Sequence, residues 1–247
     1  LTPQDAKAYT NRAIAYFDLG RFTEAIADYD EALGLHGKDP KTYYSRGLAH
    51  ARKGQTDRAI DDYTEAIRLA PKYVEAYVAR AIVHSTRGDH QQAVEDCSAA
   101  IRIDPKCVKA YYHRGIVLGQ QGNLDLAIAD YTVVTRARPK DAKAYCHRGV
   151  AQTRNGNVAA AIADYNEAVR LDPGYAHAYY NRGLVYRVQG KLDLALGDFS
   201  EAIRIQPKNA KAYHNRALVY EQQGQKTKAE ADHAEAARLE PGGNASR

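Results

Sequence analysis

An all-α array of repeated helix pairs is the fold class this sequence predicts, and three observations predict it. Slid against itself, the chain repeats every 34 residues. Each period holds two segments whose apolar residues recur at helical spacing. Glycine and proline punctuate those segments at fixed places, and no stretch shows the alternation of a strand.

The columns are regular. Tyrosine stands at 9, 43, 77, 111, 145, 179 and 213, glycine at 20, 54, 88, 122, 156, 190 and 224, and alanine at 25, 59, 93, 127, 161, 195 and 229. Proline stands at 71, 105, 139, 173, 207 and 241, with Gly37 in the place of the first. The chain opens with residues 1–5, where Leu1-Thr2-Pro3 matches Leu171-Asp172-Pro173. This reads as the tail of a preceding repeat or as a plain leader. With Leu1 first and no methionine anywhere, the expectation is a fragment or a processed product.

Seven copies follow, at 6–39, 40–73, 74–107, 108–141, 142–175, 176–209 and 210–241. In the fourth copy the first helix is predicted from about Ala110 to Gln121, with Tyr111, Gly115 and Leu118 on one face. Gly122 breaks it. The second helix runs from about Leu124 to Ala137, with Ala127, Ile128 and Tyr131 inward, and Pro139 ends it because proline lacks the amide. Asp5, Asp39, Asp141 and Asn209 stand where first helices begin, and their short oxygens suit N-caps. The Gly115 and Ala127 columns let the two helices approach closely. In the last copy the isoleucine of the second helix becomes Glu230 and the tyrosine becomes His233, the polar outer face of a terminal cap. Residues 242–247 have a composition suited to disorder, and Asn244-Ala245-Ser246 fits a glycosylation triplet by pattern alone.

Composition sets further bounds. Apolar residues make up 45% of the 247, enough for a core, and the net charge of +5 permits acidic partners without marking a dedicated nucleic-acid binder. No apolar run reaches membrane-spanning length. Cys97, Cys107 and Cys146 are odd in number and fit no metal knuckle, so free thiols are expected. His113, His147 and Cys146 find no carboxylate at a metal-site spacing. No phosphate loop or Ser-His-Asp set stands out. The reading is of a non-enzymatic chain with no cofactor and no metal.

The recurring Tyr, Gly or Ala, Gly, Ala, Tyr, Ala and Pro pattern resembles the tetratricopeptide repeat family, from Ala6 to Pro241 and without insertion. That resemblance implies a right-handed superhelical solenoid of seven antiparallel helix pairs, with first helices lining a concave groove and second helices outside. It also implies a role in protein–protein recognition.

Two columns depart from the family, where both places are usually apolar. Arginine recurs at Arg12, Arg46, Arg80, Arg114, Arg148, Arg182 and Arg216, and aspartate at Asp28, Asp62, Asp96, Asp130, Asp164, Asp198 and Asp232. In an antiparallel pair, residues equally far from the turn stand level, so each arginine should face the aspartate of its own copy. The alternative is the preceding copy's aspartate, for example Arg114 with Asp96. A buried guanidinium needs such a partner. Desolvation offsets much of the gain, so the ladder reads as register control. A ligand-binding arginine stripe is the functional alternative.

Beside that stripe, the first helices carry a basic, aromatic, amide-rich face. Its candidate peptide-binding residues are Asn11, Lys41, Tyr44, Lys109, Tyr112, His113, Lys143, His147, Tyr180, Asn181, Arg187, Lys211, His214 and Asn215. Asparagine can both donate to and accept from a peptide backbone, tyrosine gives rigid contact area, and lysine draws acidic side chains. Some family members use asparagine at this place to hold peptide backbone, and Asn11, Asn181 and Asn215 match them. The carboxylate clamp of other members, a Lys and an Asn one turn apart, is replaced by pairs such as Tyr112 and Ile116. The expected ligand is an extended, acidic peptide across repeats four to seven. Alternatives are solvated lysines with Tyr112 packed on Tyr145, the substrate-recruiting arm of a larger enzyme, or a nucleic-acid-binding solenoid. Self-association through the first repeat is a further expectation.

Overall fold

The computed structural model describes residues 5–240. The expectations placed on residues 1–4 and 241–247 lie outside the described residues. The chain divides into two compact units, 1–122 and 123–247. Fourteen α-helices make up the described secondary structure, with no strand among the described residues.

The first unit holds α1 (Ala6–Asp18), α2 (Phe22–Leu35), α3 (Pro40–Arg52), α4 (Thr56–Leu69), α5 (Val74–Arg87), α6 (His90–Ile103) and α7 (Val108–Gln121). The second holds α8 (Leu124–Ala137), α9 (Ala142–Arg154), α10 (Val158–Leu171), α11 (Ala176–Val188), α12 (Leu192–Ile205), α13 (Ala210–Gln222) and α14 (Lys226–Leu239). Within each unit a first helix packs on its own second helix, which then packs on the next first helix. Successive first helices also touch, α1 to α3, α3 to α5 and α5 to α7 in one unit, α9 to α11 and α11 to α13 in the other.

The ends of the helices follow from local chemistry. Asp5 accepts from the amides of Lys7 and Ala8, and Asp39 from those of Lys41 and Thr42. Asp141 and Asn209 accept from Ala144 and Ala212. Each satisfies an amide that the helix leaves orphaned. Where tyrosine or cysteine holds that place, as at Tyr73, Cys107 and Tyr175, no side chain caps the helix. At the other end, Gly88 and Gly122 terminate α5 and α7 with φ of +93° and +84°, a left-handed turn that a Cβ would strain.

Packing depends on a size exchange between the two helices of a pair. Ala25, Ala59, Ala93, Ala127, Ala161 and Ala195 are wholly buried. Beside them Tyr29, Tyr63, Tyr165 and Phe199 bury their rings, each contributing about 2–3 kcal/mol by removal from water. The facing residue is small because it has to be. A Cβ on Gly47 would lie 2.7 Å from the Tyr63 ring, on Gly149 2.8 Å from Tyr165, and on Gly183 2.9 Å from Phe199. In the third copy the exchange runs the other way, with Ala81 on the first helix and the small Cys97 on the second, both buried.

The last copy differs from the inner ones. On α14, Glu230 is exposed and His233 reaches Glu221 at 3.1 Å. Exposed large apolar residues are found in outer and inner copies alike: Ile14 on α1 and Leu19 just past its end, but also Leu126, Val188 and Leu194. No helix among the described residues is long and apolar enough to cross a membrane.

Candidate functional site

The arginine column forms a two-sided clamp. Within the units, Arg12, Arg46, Arg80, Arg148, Arg182 and Arg216 donate from Nε and Nη2 to Asp28, Asp62, Asp96, Asp164, Asp198 and Asp232 at 2.6–3.1 Å. This is the bidentate geometry that makes guanidinium–carboxylate pairs strong. The aspartates are buried, whereas the arginine side chains keep a rim of exposure, 16% for Arg182 and 44% for Arg12. The paired aspartates raise the pKa of Arg148, Arg182 and Arg216 above its ordinary value, so these guanidiniums stay charged.

The remaining guanidinium nitrogen reaches backwards to the preceding second helix. Arg46 Nη1 donates to Asp30 at 2.6 Å, Arg80 to Thr64 at 2.8 Å and Arg114 to Ser98 at 3.0 Å. In the second unit Arg148 donates to Thr132 and Thr135 at 3.3 and 2.8 Å, Arg182 to Asn166 at 2.7 Å and Arg216 to Ser200 at 3.1 Å. The partner is thus a short polar residue two positions beyond the aspartate, not the preceding aspartate itself, which already serves its own arginine. Tyr9, Tyr43, Tyr77, Tyr111, Tyr145, Tyr179 and Tyr213 lie with ring centres 5.4–5.9 Å from the guanidinium carbon of the arginine three residues on. Asp130, on α8, is buried like the other aspartates. Every donor with a described partner is spent inside the protein, so the column holds repeats together rather than waiting for a ligand.

The neighbouring face of the first helices is open to solvent. In the first unit Asn11, Lys41 and Lys109 are exposed, while Tyr44, Tyr112 and His113 are half-buried. Tyr44 packs its ring against Tyr63 and Tyr73, with centroids 5.9 and 5.1 Å apart, so it serves the core as much as the surface. Burial, with Lys109 nearby, lowers the pKa of His113.

In the second unit the face runs along α9, α11 and α13. Lys143, Lys211 and His214 are exposed, and His147, Tyr180, Asn181 and Arg187 are half-buried. His147 stacks on Tyr131 at 5.8 Å, and burial lowers its pKa. Asn181 donates to the His177 carbonyl at 2.9 Å and lies 3.9 Å from the Cys146 sulfur. Cys146 is itself buried, which pushes its thiol up to about 11, far from reactive thiolate. Asn215 corrects the sequence reading. It is only 9% exposed, and its amide donates to the Tyr180 hydroxyl at 3.1 Å and the Lys211 carbonyl at 2.8 Å. Its burial and its bond to Tyr180 make it a residue that positions Tyr180. Among the described residues no group of three or more histidines, cysteines and carboxylates could hold a metal ion.

The first helices carry few acids in both units: α3 and α7 of the first unit contain none, α1 only Asp18 and α5 only Glu75. Helices α9 and α11 contain no Asp or Glu, and α13 contains only Glu221, which His233 engages. Lys143, Arg187 and Lys211 stand on helices that hold one carboxylate between them, with Asp141 capping the start of α9.

A tetratricopeptide repeat family model matches residues 44–106, 112–176 and 154–210, and two further models of the same repeat match 14–54 and 199–231. The chain belongs to the tetratricopeptide repeat family. No curated protein matches the sequence. Among solved structures, a tetratricopeptide repeat protein from Parabacteroides merdae is similar with a TM-score of 0.75 at 20% identity, over 96% of this chain and 94% of its own. YrrB, described as a TPR protein with an unusual peptide-binding site, gives 0.65 at 23% identity over 75% and 96%. MamA gives 0.60 at 28% identity over 64% and 93%. The family membership makes this chain a scaffold of the protein-interaction type, built from helix pairs that are generally non-enzymatic.

Proposed function

We propose that the chain recognises an extended, acidic peptide segment on the first-helix face of the second unit. The observation that carries this is the carboxylate-poor layer on α9, α11 and α13, where Lys143, Arg187 and Lys211 flank Tyr180 and Asn181. A long strip of cations with a single acid attracts acidic partners from a distance. Tyr180 and Asn181, half-exposed between them, supply rigid contact area and an amide for peptide backbone. The amide of Asn181 currently holds a carbonyl of its own helix, an exposed bond that a ligand carbonyl can replace.

Charge then sets the association rate, and the amide and ring set the lifetime. Calorimetry and stopped-flow mixing with a peptide mapped from a cellular partner test this. Lys143→Gln with Lys211→Gln should slow association at low salt, and Asn181→Ala with Tyr180→Ala should speed dissociation. Unchanged affinity in all four, with the fold intact, places the ligand elsewhere. Self-association is a separate part of the proposal, with Ile14 on α1 and Leu19 just past its end as the candidate contacts. Sedimentation that stays monomeric at high concentration removes it.

A further inference from the structure

The outer helices carry a second charge pattern, and two copies keep its arginine without its glutamate: α8, with Val133 before Arg136, and α6, where a hollow opens beside the arginine. On α4, α10, α12 and α14 an arginine in the last turn is held by a glutamate three residues earlier. These are Arg68 with Glu65 at 2.9 Å, Arg170 with Glu167 at 2.5 Å, Arg204 with Glu201 at 2.6 Å and Arg238 with Glu235 at 2.5 Å. On α6 the arginine remains as Arg102, but the glutamate is replaced by Ala99. Arg102 makes no hydrogen bond or ion pair among the described residues. The nearest acid in sequence, Asp104, accepts from the Lys106 amide at 2.9 Å.

The missing side chain leaves room as well as charge. An open hollow of about 400 Å³ lies at this place in the first unit, lined by Pro71, Lys72, Tyr77, Ala99, Arg102 and Ile103. It contains two cationic side chains and no acidic one. Lys72 and Arg102 are exposed, and the Tyr77 hydroxyl makes no hydrogen bond among the described residues. Four copies show that an arginine at this place takes a carboxylate when one is supplied. Here the protein supplies none.

We infer that Lys72, Tyr77 and Arg102 form a carboxylate-binding hollow on the third repeat, which takes an aspartate or glutamate side chain of an acidic partner in place of the glutamate lost at position 99. The planar guanidinium offers a fork to the two carboxylate oxygens, and the lysine and phenol add single donors. This site lies outside the candidate peptide face and does not depend on it.

The test follows the Arg102 Nε–Hε resonance of the labelled full chain during titration with acetylated, amidated hexaglutamate. Hexaglutamine is the neutral control and inorganic phosphate the small-anion arm. Hexaglutamate should move Arg102 and saturate, while hexaglutamine leaves it in place. Ala99→Glu restores the intrahelical pair found in four other copies, so it should leave the fold intact and weaken the Arg102 response about tenfold. Glu167→Ala should open the corresponding place on α10 and give Arg170 a new response. The proposal is overturned if Arg102 ignores hexaglutamate, if Ala99→Glu leaves its response undiminished, or if Arg170 stays silent in Glu167→Ala. Saturation by phosphate alone overturns the carboxylate assignment. A response that survives Ala99→Glu and vanishes in Lys143→Gln with Lys211→Gln assigns the peptide to the other face, which overturns the hollow and leaves the proposed function standing.

Discussion

The first helices of the two units share a ladder and differ beside it chiefly at α5. In the first unit α3 and α7 carry no acid, but α1 ends on Asp18, and α5 carries Glu75 with Val78 and Ala79 buried where the other copies are mostly polar. In the second unit α9 and α11 carry no acid at all, and their corresponding residues include His147, Tyr180 and Asn181. The arginine, its aspartate and its tyrosine recur in both units because each copy must be locked to the one before it. The adjacent face is under no such demand. What repeats is architecture, and what departs from the repeat carries the chemistry.

The largest expected effect comes from breaking the ladder where it is most enclosed. Asp198→Ala leaves Arg182, 16% exposed, without its carboxylate, and should cost about 3 kcal/mol. Hydrogen exchange of α11 and α12 reads this directly. The same change at Asp28 should cost clearly less, because Arg12 is 44% exposed and makes no described bond to a preceding helix. Equal losses at the two places would contradict the burial argument. Next in size is the glycine opposite a ring. Gly183→Ala pushes a methyl to 2.9 Å from buried Phe199 and should cost about 1–3 kcal/mol in urea unfolding. Ala81, facing the small Cys97, tolerates its methyl already.

Smaller effects sharpen the contrast in charge. Removing Lys143 or Lys211 should slow association with an acidic peptide about threefold each at 20–50 mM salt, on the order of one surface charge, and the effect should fade as salt rises. Replacing Lys41 in the first unit should do less. The smallest effect concerns pH. Burial lowers the pKa of His147 below its ordinary value, so its contribution to stability is fully present above the unfolded value near 6.5 and is lost as pH falls through the folded value. Urea midpoints should therefore drop on acidification below about pH 6.5, and His147→Gln should flatten that part of the profile.

Much of this was legible in the sequence because the period multiplies weak signals. A single Tyr-x-x-Arg says little, but seven in phase, each with an aspartate sixteen residues on, announce a helix pair and a facing contact. The helix ends at Asp5, Asp39, Asp141 and Asn209 were legible from N-cap chemistry. The third arm of each arginine was not. Its partners are Asp30, Thr64, Ser98, Thr132, Asn166 and Ser200, a column at the same period whose residue type varies, so no single residue marks it. Asn215 looked like a ligand contact because its residue type suits one. It is buried beside Tyr180, 35 residues away, whose hydroxyl accepts from its amide. Ala99 stands out in the column Glu31, Glu65, Ala99, Val133, Glu167, Glu201 and Glu235, but the hollow beside Arg102 depends on packing that the column does not carry.

The central functional claim concerns which face of the second unit meets a partner. Chemical-shift mapping of the labelled full chain with an acetylated, amidated acidic peptide tests it most directly. The perturbed amides and side chains should fall on α9, α11 and α13, led by Lys143, Tyr180, Asn181 and Lys211. Perturbations confined to α10, α12 and α14, or none in the second unit at saturating peptide, would contradict it.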